Sequence, residues 1–258
     1  MEYAPRGLLG VLTPQANTTV EPELSIMLPP GYAWINARMV SGKGSIEERL
    51  ADYGASYESL LAQFANAPVS AIAVACSGPS YFMGPEREDR LFGELTDKAG
   101  VPVLAATKSV IEALALIGAS RVALVSPYPQ SLQKASNRYW ADRGLDVALS
   151  VSAYRETSAF HAIYSLSGDA AQDALDSIRD ADVDAVIMLG TGMPTVGAIV
   201  DTPTIRQAVV MSCMSALAWR AIAAMDGVAP QRQSLLDFAH SPVIRQRIDA
   251  LRAIPARS

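Results

Sequence analysis

The chain carries the same strand twice. Val69 to Gly78 reads Val-Ser-Ala-Ile-Ala-Val-Ala-Cys-Ser-Gly, and 114 residues later Val183 to Gly192 reads Val-Asp-Ala-Val-Ile-Met-Leu-Gly-Thr-Gly. Both are unbroken apolar runs that stop abruptly at small polar residues, the pattern of a strand buried on both faces of a parallel sheet. Two further pairs keep the same order. Leu9 to Pro14 matches Val122 to Pro127, each run closing in Thr-Pro or Ser-Pro, and Val103 to Thr107 matches Val209 to Cys213, each leading into a helical stretch. An ordered repeat of this kind predicts two similar halves, for which 258 residues are ample. The expected division is an N-terminal lobe over 1–114, a C-terminal lobe over 115–227, and a helical tail over 228–258 that packs on a lobe or on a partner subunit.

Between the strands the periodicity turns helical. Ser45-Ile-Glu-Glu48 is a capping-box sequence that opens an amphipathic helix to about residue 66. A loop over 79–85, a charged helix over 86–99, a strand over 101–107 and a helix over 108–118 complete the first half. The second half reads as strands over 121–126, 146–153, 183–189 and 208–213. Its helices are expected over 130–143, about 159–181 with an interruption near Gly168, and 214–225. Strands that alternate with helices make an α/β fold of two pseudo-symmetric lobes, each a mostly parallel sheet flanked by helices. Ligands in such sheets collect at the carboxyl ends of the strands, which places the site in the cleft between the lobes if the lobes face each other.

Composition narrows the function by exclusion. Lys and Arg number 21 against 26 Asp and Glu, a net charge of −5, and no basic aromatic patch speaks for nucleic acid. The apolar runs are strand-length, too short for a membrane span, and the N-terminus enters a strand without a signal-peptide core. Two cysteines far apart in sequence point to a reduced, cytoplasmic setting. Gly-x-Gly-x-x-Gly, Walker and Gly-x-Ser-x-Gly patterns are absent. His161 and His240, the two histidines, have neither zinc spacing nor a triad context. No metal and no cofactor are expected.

The candidate chemistry centres on Cys76. It stands at a strand's end, before the amides of Ser77 and Gly78, which can hold a thiolate or a bound carboxylate. The repeat sets Gly190 opposite it. Cys213 pairs with Thr107 in the repeat and reads as packing. Asn17 in the first loop, Tyr128 after Ser126-Pro127, and Thr191-Gly192 after the repeated strand converge on one cleft if the lobes face each other. A free cysteine is also a good small buried hydrophobe, and Asn, Gly and Tyr-Pro are ordinary turn chemistry, so the residues alone leave both readings open. Lys43, Lys108 and Arg155 read as surface charges.

Taken together these segments resemble the aspartate/glutamate racemase superfamily, in particular its maleate cis-trans isomerase and arylmalonate decarboxylase branch. Pro14-Gln-Ala-Asn17-Thr18-Thr19-Val-Glu21 is similar to the isomerases' first-loop signature, Ala75-Cys76-Ser77 to their first cysteine motif, Ser126-Pro127-Tyr128 to their tyrosine loop, and Met193-Pro194-Thr195 to the segment after their second cysteine. The resemblance covers roughly residues 7–227. It implies cofactor-free chemistry on a small carboxylic or dicarboxylic acid, with Cys76 as nucleophile, Asn17 and Tyr128 as substrate-binding groups, and Ser77, Gly78, Gly190, Thr191 and Gly192 as loop positions around the carboxylate oxygens. A homo-oligomer is expected.

Two departures shape the expectation. Gly190 stands where the family's second cysteine belongs, and Ser158 replaces an asparagine of the isomerases, so a two-cysteine racemase is not expected. The arylmalonate decarboxylases also keep one cysteine, but on the opposite lobe. The resemblance therefore implies a maleate isomerase-like enzyme that uses Cys76 as nucleophile. The alternatives are a decarboxylase-like lyase with Cys76 as proton donor, or a small-carboxylate binding protein without catalysis.

Overall fold

The computed structural model describes residues 1–156 and 162–255. The first half runs β1 (Gly7–Pro14), α1 (Val20–Met27), β2 (Tyr32–Met39), α2 (Ile46–Leu61), β3 (Ala71–Val74), α3 (Gly78–Met83), α4 (Pro85–Ala99), β4 (Val103–Ala105) and α5 (Ala106–Ile117). The second runs β5 (Arg121–Ser126), α6 (Gln130–Asp142), β6 (Asp146–Ser152), α7 (Gly168–Asp176), β7 (Ala185–Met188), α8 (Val196–Asp201), β8 (Thr204–Ile205), β9 (Ala208–Ser212) and α9 (Cys213–Met225). Two helices, α10 (Arg232–Ala239) and α11 (Pro242–Arg252), follow.

The sheets repeat one topology. Their strand orders are β2-β1-β3-β4 and β6-β5-β7-β9-β8, so the strands paired by sequence echo occupy equivalent places. All neighbours are parallel except β8 against β9. The central strands β1, β3 and β7 are buried throughout, as continuous apolar runs require. The predicted capping box opens α2: the Glu48 amide donates to Ser45 Oγ at 3.2 Å, and the Ser45 amide donates to Glu48 Oε2 at 3.4 Å. Such a cap is worth about 1 kcal/mol.

Three local readings change. Residues 79–85, read as a loop, hold α3, because Pro79 fits a first helical turn and Gly84, at φ 76°, ends it. The helix expected over about 159–181 is a 3₁₀ turn at Ala162–Ser165 followed by the shorter α7, and His161 and Ser158 lie outside the described residues. The segment before β9 folds back as the short antiparallel β8, turning at Arg206 with φ 53°.

The halves share one core. Helix α9 follows the last strand of the second sheet yet packs on β1, β3 and β4 of the first, and against α5. Its alanines 216, 218, 221 and 223 are buried and allow that close approach. On the opposite side Glu88 of α4, fully buried, accepts hydrogen bonds from Thr107, Tyr139 and Arg143, so α6 of the second half is tied to α4 and α5 of the first. The tail packs on this body: α10 contacts α5 and α9, and α11 contacts α1 and α8.

Candidate active site

The carboxyl ends of β3, β5 and β7 meet at a cavity of about 280 Å³, near the small end of the range for small-molecule sites. From β3 come Cys76, Ser77 and Gly78; from the loop after β5, Tyr128; from the loop after β7, Gly190, Thr191 and Gly192. Seven of the eight residues expected at the site thus line one space.

Cys76 sits just past the β3 ladder, which the Ala75 amide extends by donating to Leu12 O at 2.9 Å. The next residue, Ser77, is the N-cap of α3, and the Gly78 amide reaches back to the sulfur. Helix α2 lies close enough over this turn that a Cβ on Gly78 would come within 2.6 Å of Leu50. A larger residue there would have to push the Leu50 side chain aside. Cys76 is 8% exposed, and burial pushes its thiol up to about 12, the Gly78 amide opposing only in part. The resting sulfur is therefore a neutral thiol at physiological pH.

Hydrogen bonds close the seam around the cavity. Ser77 Oγ and Tyr128 OH lie 3.0 Å apart, joining the two halves directly in front of the sulfur's own turn. Thr191 Oγ1 donates to Ala75 O at 2.7 Å, and Thr19 Oγ1 donates to Gly192 O at 2.9 Å. Glu23 of α1 is buried and accepts from the amides of Thr195 (2.6 Å) and Val196 (3.0 Å) at the start of α8. Burial raises its carboxyl to about 7 despite those donors.

Asn17 is the exception among the expected residues. It does not line the cavity; its Nδ2 donates to Thr191 O at 3.0 Å, and its Oδ1 accepts from the amides of Thr19 and Val20. Its amide thus holds the Thr191 loop. Gly190, opposite Cys76 in the repeat, has φ 83°, and a Cβ there would lie 3.1 Å from both Pro127 Cγ and Tyr128 OH. The left-handed backbone and the crowding by Tyr128 both favour glycine at the second cysteine's place. Cys213 starts α9 fully buried behind Gly190, whose amide it accepts from; burial pushes its thiol up to about 11.

Other lining residues escaped the sequence reading. Arg49, Leu50 and Tyr53 on α2 form one wall, and Ile163 and Tyr164 another. The spacing of Leu50, Tyr53 and Tyr57 marks the buried face of α2, but nothing in the sequence says that this face turns toward the strand ends. Lys108 pairs with Asp89 and Arg155 with Asp173, outside the cavity, and His240 ends α10 in solvent. Among the described residues no three His, Cys, Asp or Glu side chains are grouped to hold a metal ion, and no helix is long and apolar enough to cross a membrane.

Comparison with known proteins agrees with this architecture. The chain is 28% identical over 151 residues to the maleate isomerase of Pseudomonas putida, covering 54% of this chain and 60% of that protein. It is 24% identical over 159 residues to that of Geobacillus stearothermophilus, covering 56% and 62%. The chain thus spans about 60% of the length of the curated relatives it matches. The fold is similar to a crystal structure of a Pseudomonas putida maleate isomerase (TM-score 0.76, 22% identity, 85% of this chain and 93% of that one). It is also similar to a cysteine-to-serine mutant of the Nocardia farcinica maleate cis-trans isomerase with a covalently bound succinylcysteine intermediate (TM-score 0.74, 23% identity, 85% and 93%), and to arylmalonate decarboxylase (TM-score 0.66, 19% identity, 88% and 96%). The arylmalonate decarboxylase family matches residues 9–235, nearly the whole of both halves, and the chain belongs to that family.

Proposed function

We propose that the chain is a cofactor-independent isomerase of the maleate isomerase type, in which Cys76 adds to the double bond of a small unsaturated carboxylic acid held between the two halves. The observation that carries the reading is the place of Cys76: it lines the same cavity as Ser77, Tyr128 and Thr191. The two curated relatives are maleate isomerases, and the Nocardia farcinica mutant holds a succinylcysteine, in which a carbon–sulfur bond of the kind proposed for Cys76 has formed.

The reaction balances without a second thiol. The thiol proton passes to the substrate's own carboxylate as the sulfur adds. As the sulfur–carbon bond forms, the π pair moves toward the adjacent carboxyl group and makes an enediolate. The former double bond is now single and rotates. Return of the electron pair re-forms the double bond, breaks carbon–sulfur, and gives the proton back to sulfur. Hydroxyls of Ser77 and Tyr128 and the amides around the strand ends stabilise the charge on the enediolate oxygens, the largest expected contribution to rate.

A second reading rests on the protonation state. A thiol raised to about 12 is poised to give a proton, so Cys76 could protonate the enediolate left when a malonate loses carbon dioxide, then recover the proton from solvent. Proton NMR in heavy water with maleate and with phenylmalonate separates the two. Fumarate without carbon-bound deuterium supports addition and elimination, whereas phenylacetate with one α-deuterium supports decarboxylation. Turnover that survives Cys76→Ala overturns both, and a wild type that binds these acids without converting them points to a binding protein.

A further inference from the structure

Helices α2 and α4 lie side by side on the first half, and the surface they share carries a pattern that the chemistry at Cys76 leaves unused. At one end Phe82, the last residue but one of α3, stands 48% exposed on the rim of a groove of about 440 Å³ whose walls include Ala55 of α2 and Leu91 of α4. At the other end, past Glu58, which borders both, a second hollow of about 500 Å³ is lined by Leu61, Ala65, Val69 and Val101. A knob and an apolar hollow thus stand at opposite ends of one face. An exposed aromatic ring beside a groove is the kind of anchor that protein interfaces bury.

Charge between the two ends is ordered by sign. Arg87 and Arg90 occupy the first half of α4, Glu94 and Asp97 the second, and spacings of three and four residues align all four on one exposed stripe. None of the four has an ion-pair or hydrogen-bond partner among the described residues, although Asp89, Lys98, Lys108 and Arg143 around them are all paired. The stripe changes sign level with Phe92. Phe82 and Val101 stand at nearly equal separations in sequence on either side of that point, so the face complements itself when reversed.

We infer that this face is the contact between two copies of the chain, their α4 helices antiparallel across a two-fold axis level with Phe92. Such an axis brings Arg87 and Arg90 of each copy to Glu94 and Asp97 of the other, and each Phe82 to the other's hollow at Val101. One patch then serves both partners, as an isologous dimer requires. A partner of a single charge sign would leave half of the stripe opposed by like charge. In the pair, α2 is held between the second copy on one side and, on the other, the cavity wall that Leu50 and Tyr53 form.

Sedimentation velocity on the intact chain tests this over a dilution series up to about 100 μM, where a contact of micromolar affinity is populated. The wild type should be dimeric at the top of the series, and less so in high salt, since the stripe is exposed. Phe82→Glu should weaken the dimer about thirtyfold or more, the effect of losing an aromatic anchor. Arg90→Glu and Glu94→Arg should each weaken it about tenfold or more, because symmetry turns two ion pairs into two like-charge pairs. Mixing those two variants in equal amounts should restore association to within about threefold of wild type, since each then meets its complement on the other chain. All three side chains are exposed, so urea unfolding of the dilute variants should match that of dilute wild type and show that the fold is kept. A wild type that stays monomeric across the series overturns the inference and leaves the face to a different partner. A dimer that survives any one of the three substitutions, or a mixture as weak as its components, puts the contact elsewhere and overturns it as well.

Discussion

Glu23→Gln should erase a component of the protein's pH-dependent stability worth about 3 kcal/mol. Glu23 lies buried at the start of α8 with its carboxylate facing two amides and the Thr195 hydroxyl. Those donors favour the charged form, but burial dominates and raises the carboxyl from 4.5 to about 7. A folded-state pKa above the unfolded value means that the native state holds the proton longer, so this group's contribution is complete below about pH 4.5 and is lost as pH rises through about 7. At 1.36 kcal/mol per unit of pKa difference, the loss sums to about 3 kcal/mol. Glutamine keeps a carbonyl oxygen for the amides of Thr195 and Val196 and has no proton to lose. Equilibrium urea unfolding of both proteins between pH 4.5 and 8 isolates the effect, because every other titrating group cancels in the difference. The wild type should lose its advantage over the variant steadily across that interval. Parallel profiles would refute the reasoning and mean that the helix start, rather than burial, governs this carboxyl.

Two further substitutions probe the seam. Gly190→Cys restores a thiol at the family's second cysteine position but should lower stability by about 1–2 kcal/mol for the left-handed backbone alone, and more as Tyr128 is pushed from Ser77; urea unfolding as stable as wild type would contradict this. Asn17→Ala removes the partner of Thr191 O and of the Thr19 and Val20 amides, and should cost about 1–3 kcal/mol, with faster amide exchange at Thr19 and Val20 as the local signature.

Much of the arrangement was legible because it is written in periodicity. Apolar runs of strand length, repeated in order, were enough to place β1, β3, β5 and β7 at equivalent points of two sheets, and therefore to bring Cys76 and Thr191 to one cavity. Side-chain direction was not legible in the same way. Asn17 lies in the right loop, yet its carboxamide is consumed by local amides and by Thr191, a choice decided by a few ångströms of loop placement. Arg49 and Tyr53 were hidden for another reason. A helical pattern tells which residues share a face, whereas the element opposite that face depends on how the helix settles, here with Leu50 against Gly78. The end of α3 and the short return strand β8 each depend on a single turn, at Gly84 and at Arg206, too local for periodicity to register.

The crossing of α9 onto the first sheet has a consequence for biogenesis. The N-terminal strands emerge from the ribosome long before residues 213–225, which supply part of their cover. Until then β1, β3 and β4 carry an uncovered apolar face, and the first half cannot complete its core by itself. Severing the chain between the halves should therefore yield fragments that aggregate singly and recover only when co-expressed. The cover of the first sheet is therefore completed only when α9 arrives.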